Sequence, residues 1–255
     1  MFKFYNNLKI RSKLLLVTFG SMFVILPIVF IYLYVQMNKI YYESALETVT
    51  YNVENTASEV GAEINKQAAI VRTLANAFEA DVADGGETAH LRQTFGEMIQ
   101  SVMRSNPDIA TMWTCWEPNA LDGLDKQYVN TVGHDSTGRF ASRWVKESDG
   151  IKLQVGVGYE TGDFYVRARQ TKKETITEPF MYADGRHFVT LTCPIIVEGK
   201  FLGAVGSGIP IESFQKIIDR QNIMGTNMSA IYSANGNIIA HYRSENVGKK
   251  VRGTI

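Results

Sequence analysis

Residues Leu14–Val35 read LLLVTFGSMFVILPIVFIYLYV, an apolar run without a single charge. About 20 such residues let a helix cross the hydrocarbon core of a bilayer, and this run reaches that length. It has no polar face of the kind a soluble core helix keeps, and Pro27 inside it is tolerable because transmembrane helices accept proline. A cleaved signal peptide is the alternative. Its apolar region would be about 7–15 residues and would end in a small-residue cleavage site, whereas Gln36-Met37-Asn38-Lys39 follows here. The run therefore predicts one membrane anchor carrying one extramembrane module.

Lys3, Lys9, Arg11 and Lys13 precede the run, while Lys39, Glu43 and Glu47 form a mixed flank beyond it. Basic residues stay in the cytoplasm, so residues 1–13 are expected inside and the bulk of the chain outside a plasma (inner) membrane crossed once. Tyr32 and Tyr34 fit the interfacial aromatic belt at the outer end.

Lys plus Arg and Asp plus Glu are equal at 26 each, and no basic stripe with interleaved aromatics exists, which argues against a nucleic-acid partner. Cys115 and Cys193 are too few and too far apart for a disulfide framework. Two buried thiols or one bridge in an oxidising compartment both remain open.

From Asn38 to Glu79 apolar or small residues recur at Leu46, Val49, Val53, Ala57, Val60, Ile64, Ala68, Val71, Leu74 and Phe78. Steps of three and four are the helical period, so residues 36–80 are expected as a stalk helix continuous with the anchor. So narrow a stripe suits packing on a partner helix in the lower part, hence a homodimer through the stalk, and on a domain in the upper part. Asp84-Gly85-Gly86 breaks the pattern, and a second helix follows from Thr88 to Arg104, ended by Pro107.

Beyond Ile109 the pattern becomes one of short strands: Ile109–Trp116, Arg139–Lys146, Phe164–Arg169, Phe188–Val197 and Phe201–Ile209, with a long loop Asn119–Gly138. Glu198-Gly199-Lys200 joins the last two as a hairpin, and Ile211–Gln221 is helical again. A second hairpin, turned at Asn235-Gly236, occupies Ser229–Tyr242. Helices followed by an antiparallel meander make an α+β layout. Residues 81–226 suit one compact lobe. Residues 227–255 read as the start of a further lobe that is incomplete, since a lone hairpin cannot sustain itself.

The block WEPNALDGLDKQYVNTVGHDSTGRFASRW (Trp116–Trp144), Glu178-Pro179-Phe180, GKFLGAVGSGIPIESF (Gly199–Phe214) and SANGNIIAHYRSENVGK (Ser233–Lys249) resemble the double-Cache sensor domains of bacterial methyl-accepting chemotaxis receptors and sensor kinases. The resemblance implies two PAS-like lobes on the stalk helix, the membrane-distal one (81–226) holding a small-molecule ligand. It implies that the chain stops within the proximal lobe, as a truncated or degenerate receptor without its output region. The amino-acid-binding branch of the family carries Arg-x-Trp-Tyr and two aspartates. At those places this chain has Gly162-Asp163-Phe164-Tyr165, Tyr182 and Gly208. An α-carboxylate needs a cation and an α-ammonium needs acceptors, so a plain α-amino acid does not suit the substitutions.

Ligand pockets are mostly apolar with a few directed polar groups. Candidate wall residues are Trp116 (or Trp113, on the opposite strand face), Trp144, Tyr165, Tyr182 and Gly208, and Arg139, Arg143, Arg167 and Arg169 are candidate anion anchors. Arg167 and Arg169 share a face if their segment is a strand. Aromatic walls with one or two arginines suit a small planar or carboxylated metabolite.

Catalysis finds little support. His90, His134, His187 and His241 have no metal-ligand spacing, Gly203–Gly208 is not in phosphate-loop order, and His134-Asp135-Ser136 are neighbours in a loop. Asp122, Asp125 and Asp135 lack the EF-hand pattern. No cofactor, catalytic residue or metal is expected. The competing readings are a tethered extracytoplasmic enzyme and a non-signalling partner of an intact receptor.

Overall fold

The computed structural model describes residues 9–85, 88, 90–182, 185–221 and 228–251. Lys3, Gly86 and the expected lobe boundary at 226–227 lie outside them. The chain divides into two units, residues 1–55 and 56–255.

In the first unit every described residue from Ile10 onward belongs to helix α1 (Ile10–Ala83). This helix is long and apolar enough to cross a membrane, and its apolar side chains between Leu14 and Val35 are exposed. No break separates the apolar run from the segment read as a stalk, because neither Pro27 nor Gly61 interrupts the helix.

The second unit begins with the C-terminal part of α1 and continues with α2 (Leu91–Ser105), β1 (Thr111–Trp116), β2 (Ala141–Glu147), β3 (Gly150–Val155) and α3 (Asp163–Thr171). Then come β4 (Thr175–Ile176), β5 (Phe180–Met181), β6 (His187–Val197), β7 (Lys200–Pro210), α4 (Ile211–Gln221), β8 (Ala230–Tyr232) and β9 (Ile238–His241). The main sheet runs β3-β2-β1-β7-β6-β4, with β5 also on β6, and all its pairs are antiparallel. Strands β8 and β9 form a separate pair.

The β6–β7 turn has Glu198 at φ 51° and Gly199 at φ 74°. Positive φ at both central residues is the two-residue hairpin geometry whose twist matches the flanking strands. Side chains alternate across a strand, so the two faces of the sheet carry separate cores. On one face Met112, Trp116, Trp144, Cys193, Ile195 and Val205 pack on Val71, Leu74, Ala75 and Phe78 of α1 and on Leu91, Phe95, Ile99 and Met103 of α2. Phe78 and Phe95 stack at 4.0 Å, and Phe95 stacks on Trp116 at 5.7 Å. Lower down, Val60, Ile64 and Ala68 of α1 meet Val189, Leu191, Ile209 and the α4 residues Phe214, Ile217 and Ile218. On the opposite face Trp113, Cys115, Ala141, Phe201 and Ala204 pack against Tyr159 and the α3 residues Phe164 and Tyr165.

The segment Phe164–Arg169, read above as a strand, is helix α3. Its buried residues Phe164, Tyr165 and Ala168 follow the helical period rather than alternation, Asp163 sits in the first turn and Arg169 in the last, and Lys172 closes it in the left-handed conformation. Strand β3, which sequence reading left as a gap, is an exposed edge strand in which Ile151, Leu153 and Val155 alternate with Lys152 and Gln154.

The long loop after β1 is fixed from beneath. Arg92 of α2, itself buried, donates to Asp122 (2.6 and 2.7 Å), Asp125 (2.6 Å) and the Gly138 carbonyl (2.8 Å) and lies over the Tyr128 ring. Gly138 has φ +79°, and a Cβ there would stand 1.7 Å from the Asp125 carbonyl oxygen, so this closure requires glycine.

Candidate ligand-binding site

Antiparallel register places residues from different strands in rows on one face. Gln154 (β3), Arg143 (β2), Trp113 (β1), Gly206 (β7), Thr192 (β6) and Thr175 (β4) form one row, on the face covered by α3. Val145, Thr111, Gly208 and Thr190 form the next. Two glycines on β7 thus open a trough between β1 and β6. Side chains of β1 and β6 fill it. A Cβ on Gly206 would meet the Trp113 ring at 2.4 Å, and one on Gly208 would meet Thr111 at 2.6 Å and Phe188 at 3.1 Å.

A pocket beside the trough is lined by Trp113, Cys115, Arg143, Tyr159, Phe164 and Tyr182, among others, and its cavity is about 20 Å³. That is room for roughly one water, not for a metabolite. Trp113 meets Phe164 edge-on at 5.0 Å, and Phe164 stacks on Phe180 at 5.9 Å. Tyr182 covers the Arg143 guanidinium at 4.0 Å, which also donates to the hydroxyl of Thr111 (3.2 Å) and to Gln154 Oε1 (3.5 Å). Trp113 Nε1, Thr190 Oγ1, Thr192 Oγ1 and Thr175 Oγ1, all on this face, are buried and have no hydrogen-bond partner among the described residues. Each such atom costs about 1–3 kcal/mol, so the face is chemically poised for a bound polar group.

A charged network closes one end. Arg139 donates from Nε to the Trp116 carbonyl (2.8 Å), bonds Glu160, approaches Glu117 at 3.7 Å and lies over the Tyr159 ring. Tyr165 donates to Glu117 Oε1 at 2.6 Å, Arg169 stands 3.7 Å from the same oxygen, and Tyr159 donates to Asp135. Burial, reinforced by Glu117 for Tyr165 and by Asp135 for Tyr159, pushes both phenols well above their ordinary range, so both remain donors. Burial likewise pushes the Cys115 thiol up, leaving it inert.

The seven site residues read from sequence separate into four places. Tyr182 and Gly208 stand at the trough. Arg139 and Tyr165 belong to the adjoining network, joined through Glu117. Trp116 and Trp144 lie on the other face, in the core against α1 and α2, where a Cβ on Gly96 would touch the Trp144 ring at 3.2 Å. Arg167 sits on α3 away from the pocket lining, bonding the Ile176 carbonyl at 3.4 Å, and as a helical residue it does not share a face with Arg169. Of the Trp113/Trp116 pair it is Trp113 that faces the trough. Trp113, Arg143, Phe164, Gly206, Thr190 and Thr192 complete the site. Arg143 and Trp113 were among the residues the sequence offered, as an anion anchor and as the alternative to Trp116; Phe164, Gly206, Thr190 and Thr192 become readable only once the register is known.

A sheet backed on one face by a long N-terminal helix, with a small, mostly aromatic pocket under a helix and loops on the other, is the fold of the extracellular sensory domains of bacterial chemoreceptors and histidine kinases, to which the chain is similar. The solved and curated proteins similar to the chain bear this out. The extracellular domain of the putative histidine kinase mmHK1S-Z2 superposes with a TM-score of 0.65 at 28% identity, over 77% of this chain and 72% of that one. The sensory domain of the Campylobacter jejuni chemoreceptor Tlp3 (CcmL), solved with isoleucine bound, has a TM-score of 0.57 at 17% identity, over 83% and 76% of the two chains, a likeness of fold. Among curated proteins, the methyl-accepting chemotaxis protein TlpQ of Pseudomonas aeruginosa is 22% identical over 150 residues, 52% of this chain and 21% of that protein. The chain spans about a fifth of the length of the curated relatives it matches. No family model matches it.

Proposed function

We propose that the chain is the small-molecule sensing module of a membrane-anchored receptor of the chemoreceptor or sensor-kinase kind. Residues 1–13 are cytoplasmic, 14–35 span the membrane, 36–80 form the stalk, 81–226 bind the ligand and 227–255 begin a membrane-proximal lobe. The observation that carries the reading is the trough at Gly206 and Gly208, with a buried guanidinium and unpaired polar atoms on the sheet face that α1 does not cover. A ligand shifts the domain only by binding one arrangement better than another. The closed pocket supplies such a difference, because a metabolite must displace Tyr182 or Phe164 to enter. Leu46, Val49 and Val53 of α1 are exposed at helical spacing, which supports pairing with a second copy of the chain through the stalk.

The test uses the full chain in lipid nanodiscs and a broad metabolite set. At least one compound is expected to raise the melting temperature by several degrees. A set in which none does so for a folded protein would remove the sensory reading. In whole cells a membrane-impermeant amine reagent should reach the exposed Lys126; protection of that lysine until the membrane is breached would reverse the topology.

A further inference from the structure

We infer that the cleft between α1 and the β4–β6 edge of the sheet binds a small uncharged molecule with an apolar body and one hydrogen-bond acceptor, at a site separate from the trough. The cleft has a volume of about 230 Å³, against about 20 Å³ beside the trough. A dry apolar cavity of about 150 Å³ already takes up benzene, so a molecule of one ring fits. One face of α1 supplies Ile64, Ala68 and Val71, and the sheet supplies Leu191 and Cys193 of β6 and Ile176 of β4. Val71, Leu191 and Cys193 are buried, and Ile176 is 41% exposed, an apolar surface that an occupant would cover.

The charges at the cleft select against ionised ligands. Arg72 of α1 and Glu174, one residue before β4, form a bidentate pair, Nε to Oε1 and Nη2 to Oε2, the latter at 2.7 Å. Each keeps the other ionised: their hydrogen bonds draw the Glu174 pKa down and the Arg72 pKa up. The residues lining the cleft therefore carry no net charge, and neither ion is left over for a ligand. A carboxylate placed there meets Glu174, an ammonium meets Arg72, and a zwitterion must first part a two-bond pair. Arg72 Nη1 has no partner among the described residues, so a hydroxyl or carbonyl oxygen finds a charge-assisted donor there. Burial of the apolar body supplies the rest of the affinity.

Apolar compounds also enter lipid, so the test needs a local readout. Methyl NMR of the isoleucine-labelled full chain in nanodiscs provides it, with Ile64 and Ile176 as reporters and Ile109, in the core against α2, as control. Cyclohexanol, cyclohexanone and benzyl alcohol are titrated beside cyclohexanecarboxylate, cyclohexylamine and L-leucine. At least one uncharged compound should shift Ile64 and Ile176 saturably, leave Ile109 in place, and bind about tenfold more tightly than any of the charged three. Ala68→Met fills the cleft and should abolish the shifts. Ile176→Gln, at an exposed position that folding tolerates, should weaken binding read at Ile64 by about threefold. Gly206→Ala fills the trough and should leave binding at the cleft unchanged. Any one of four outcomes overturns the inference: no saturable shift with the three uncharged compounds, equally tight binding of a charged one, loss of binding in Gly206→Ala, or undiminished binding in Ile176→Gln.

Discussion

Ser207 Oγ donates to Gln67 Oε1 at 2.6 Å. Ser207 lies on β7 between Gly206 and Gly208, but its side chain points to the other face of the sheet, and Gln67 is a fully buried residue of α1. Gln67 is itself braced by Glu63 one turn earlier. The strand that floors the trough is thereby bonded directly to the long helix, so a ligand that moves the glycines moves the bond. Ser207→Ala should cost about 1–3 kcal/mol of stability, because the Gln67 oxygen is left buried and unpaired. Ligand affinity should stay within a few-fold while ligand-induced stabilisation of α1, read by amide exchange around Gln67, is lost. Unchanged exchange protection would show that the bond carries nothing.

The Arg92–Asp122–Asp125 cluster predicts acid sensitivity. Burial alone would raise the Asp122 pKa, but hydrogen bonds from Arg92 and the Leu124 N–H, with the Arg92 charge, outweigh it, and the net shift is downward. A depressed carboxylate stabilises the fold above its unfolded pKa, and that contribution disappears as pH falls through the folded value. The urea midpoint should be flat with respect to this group from about pH 7 to 5 and should fall below about pH 4, near the unfolded aspartate value. Arg92→Met strands two buried carboxylates and should cost about 3–5 kcal/mol at pH 7. A variant as stable as the parent at that pH would refute the account.

Gly206→Ala places a methyl 2.4 Å from the Trp113 ring and 2.7 Å from the Leu191 carbonyl oxygen. The second contact is backbone and cannot rotate away. Overpacking of this kind costs about 1–3 kcal/mol, and it also occupies the trough, so ligand binding should vanish. Gly61→Ala on α1 meets nothing within 4 Å and should instead stabilise by about 0.5–1 kcal/mol. Denaturation curves of the pair check both signs.

Cys115 and Cys193 are free and buried. Burial first, then the charges of Glu174 and Glu79, push the Cys193 thiol up to about 12. Because the thiolate is the reactive form, an aromatic disulfide reagent at pH 8 should label neither residue in the native protein and both after denaturation. Rapid native labelling would mean the cores open far more easily than their packing implies.

The apolar run, the helical periodicity from Leu46 to Phe78 and the β6–β7 hairpin were legible because each is local: a length, a step of three or four, a turn with two positive φ values. The α3 segment was misread because Phe-Tyr-Val-Arg-Ala-Arg is short enough to satisfy both periods, and contact with the sheet decides between them. Trp116 and Trp144 were taken as ligand walls because an aromatic on a strand buried on both faces carries no mark of which face is which. Every residue of β1 is buried.

From the order of its residues alone the chain determines its long apolar N-terminal helix, its other helices, most of its strands and its α+β class. These follow from burial patterns and turn preferences that act within a few residues. Only tertiary structure decided that Arg143, Trp113, Gly206 and Thr192 stand in one row, that Arg139 meets Tyr165 through Glu117, and that Ser207 reaches Gln67. Strand register brings the first group together, and the packing of α1 and α3 on the sheet brings the others together, across distances in sequence of up to 140 residues. Register is a property of paired strands, which no single segment encodes.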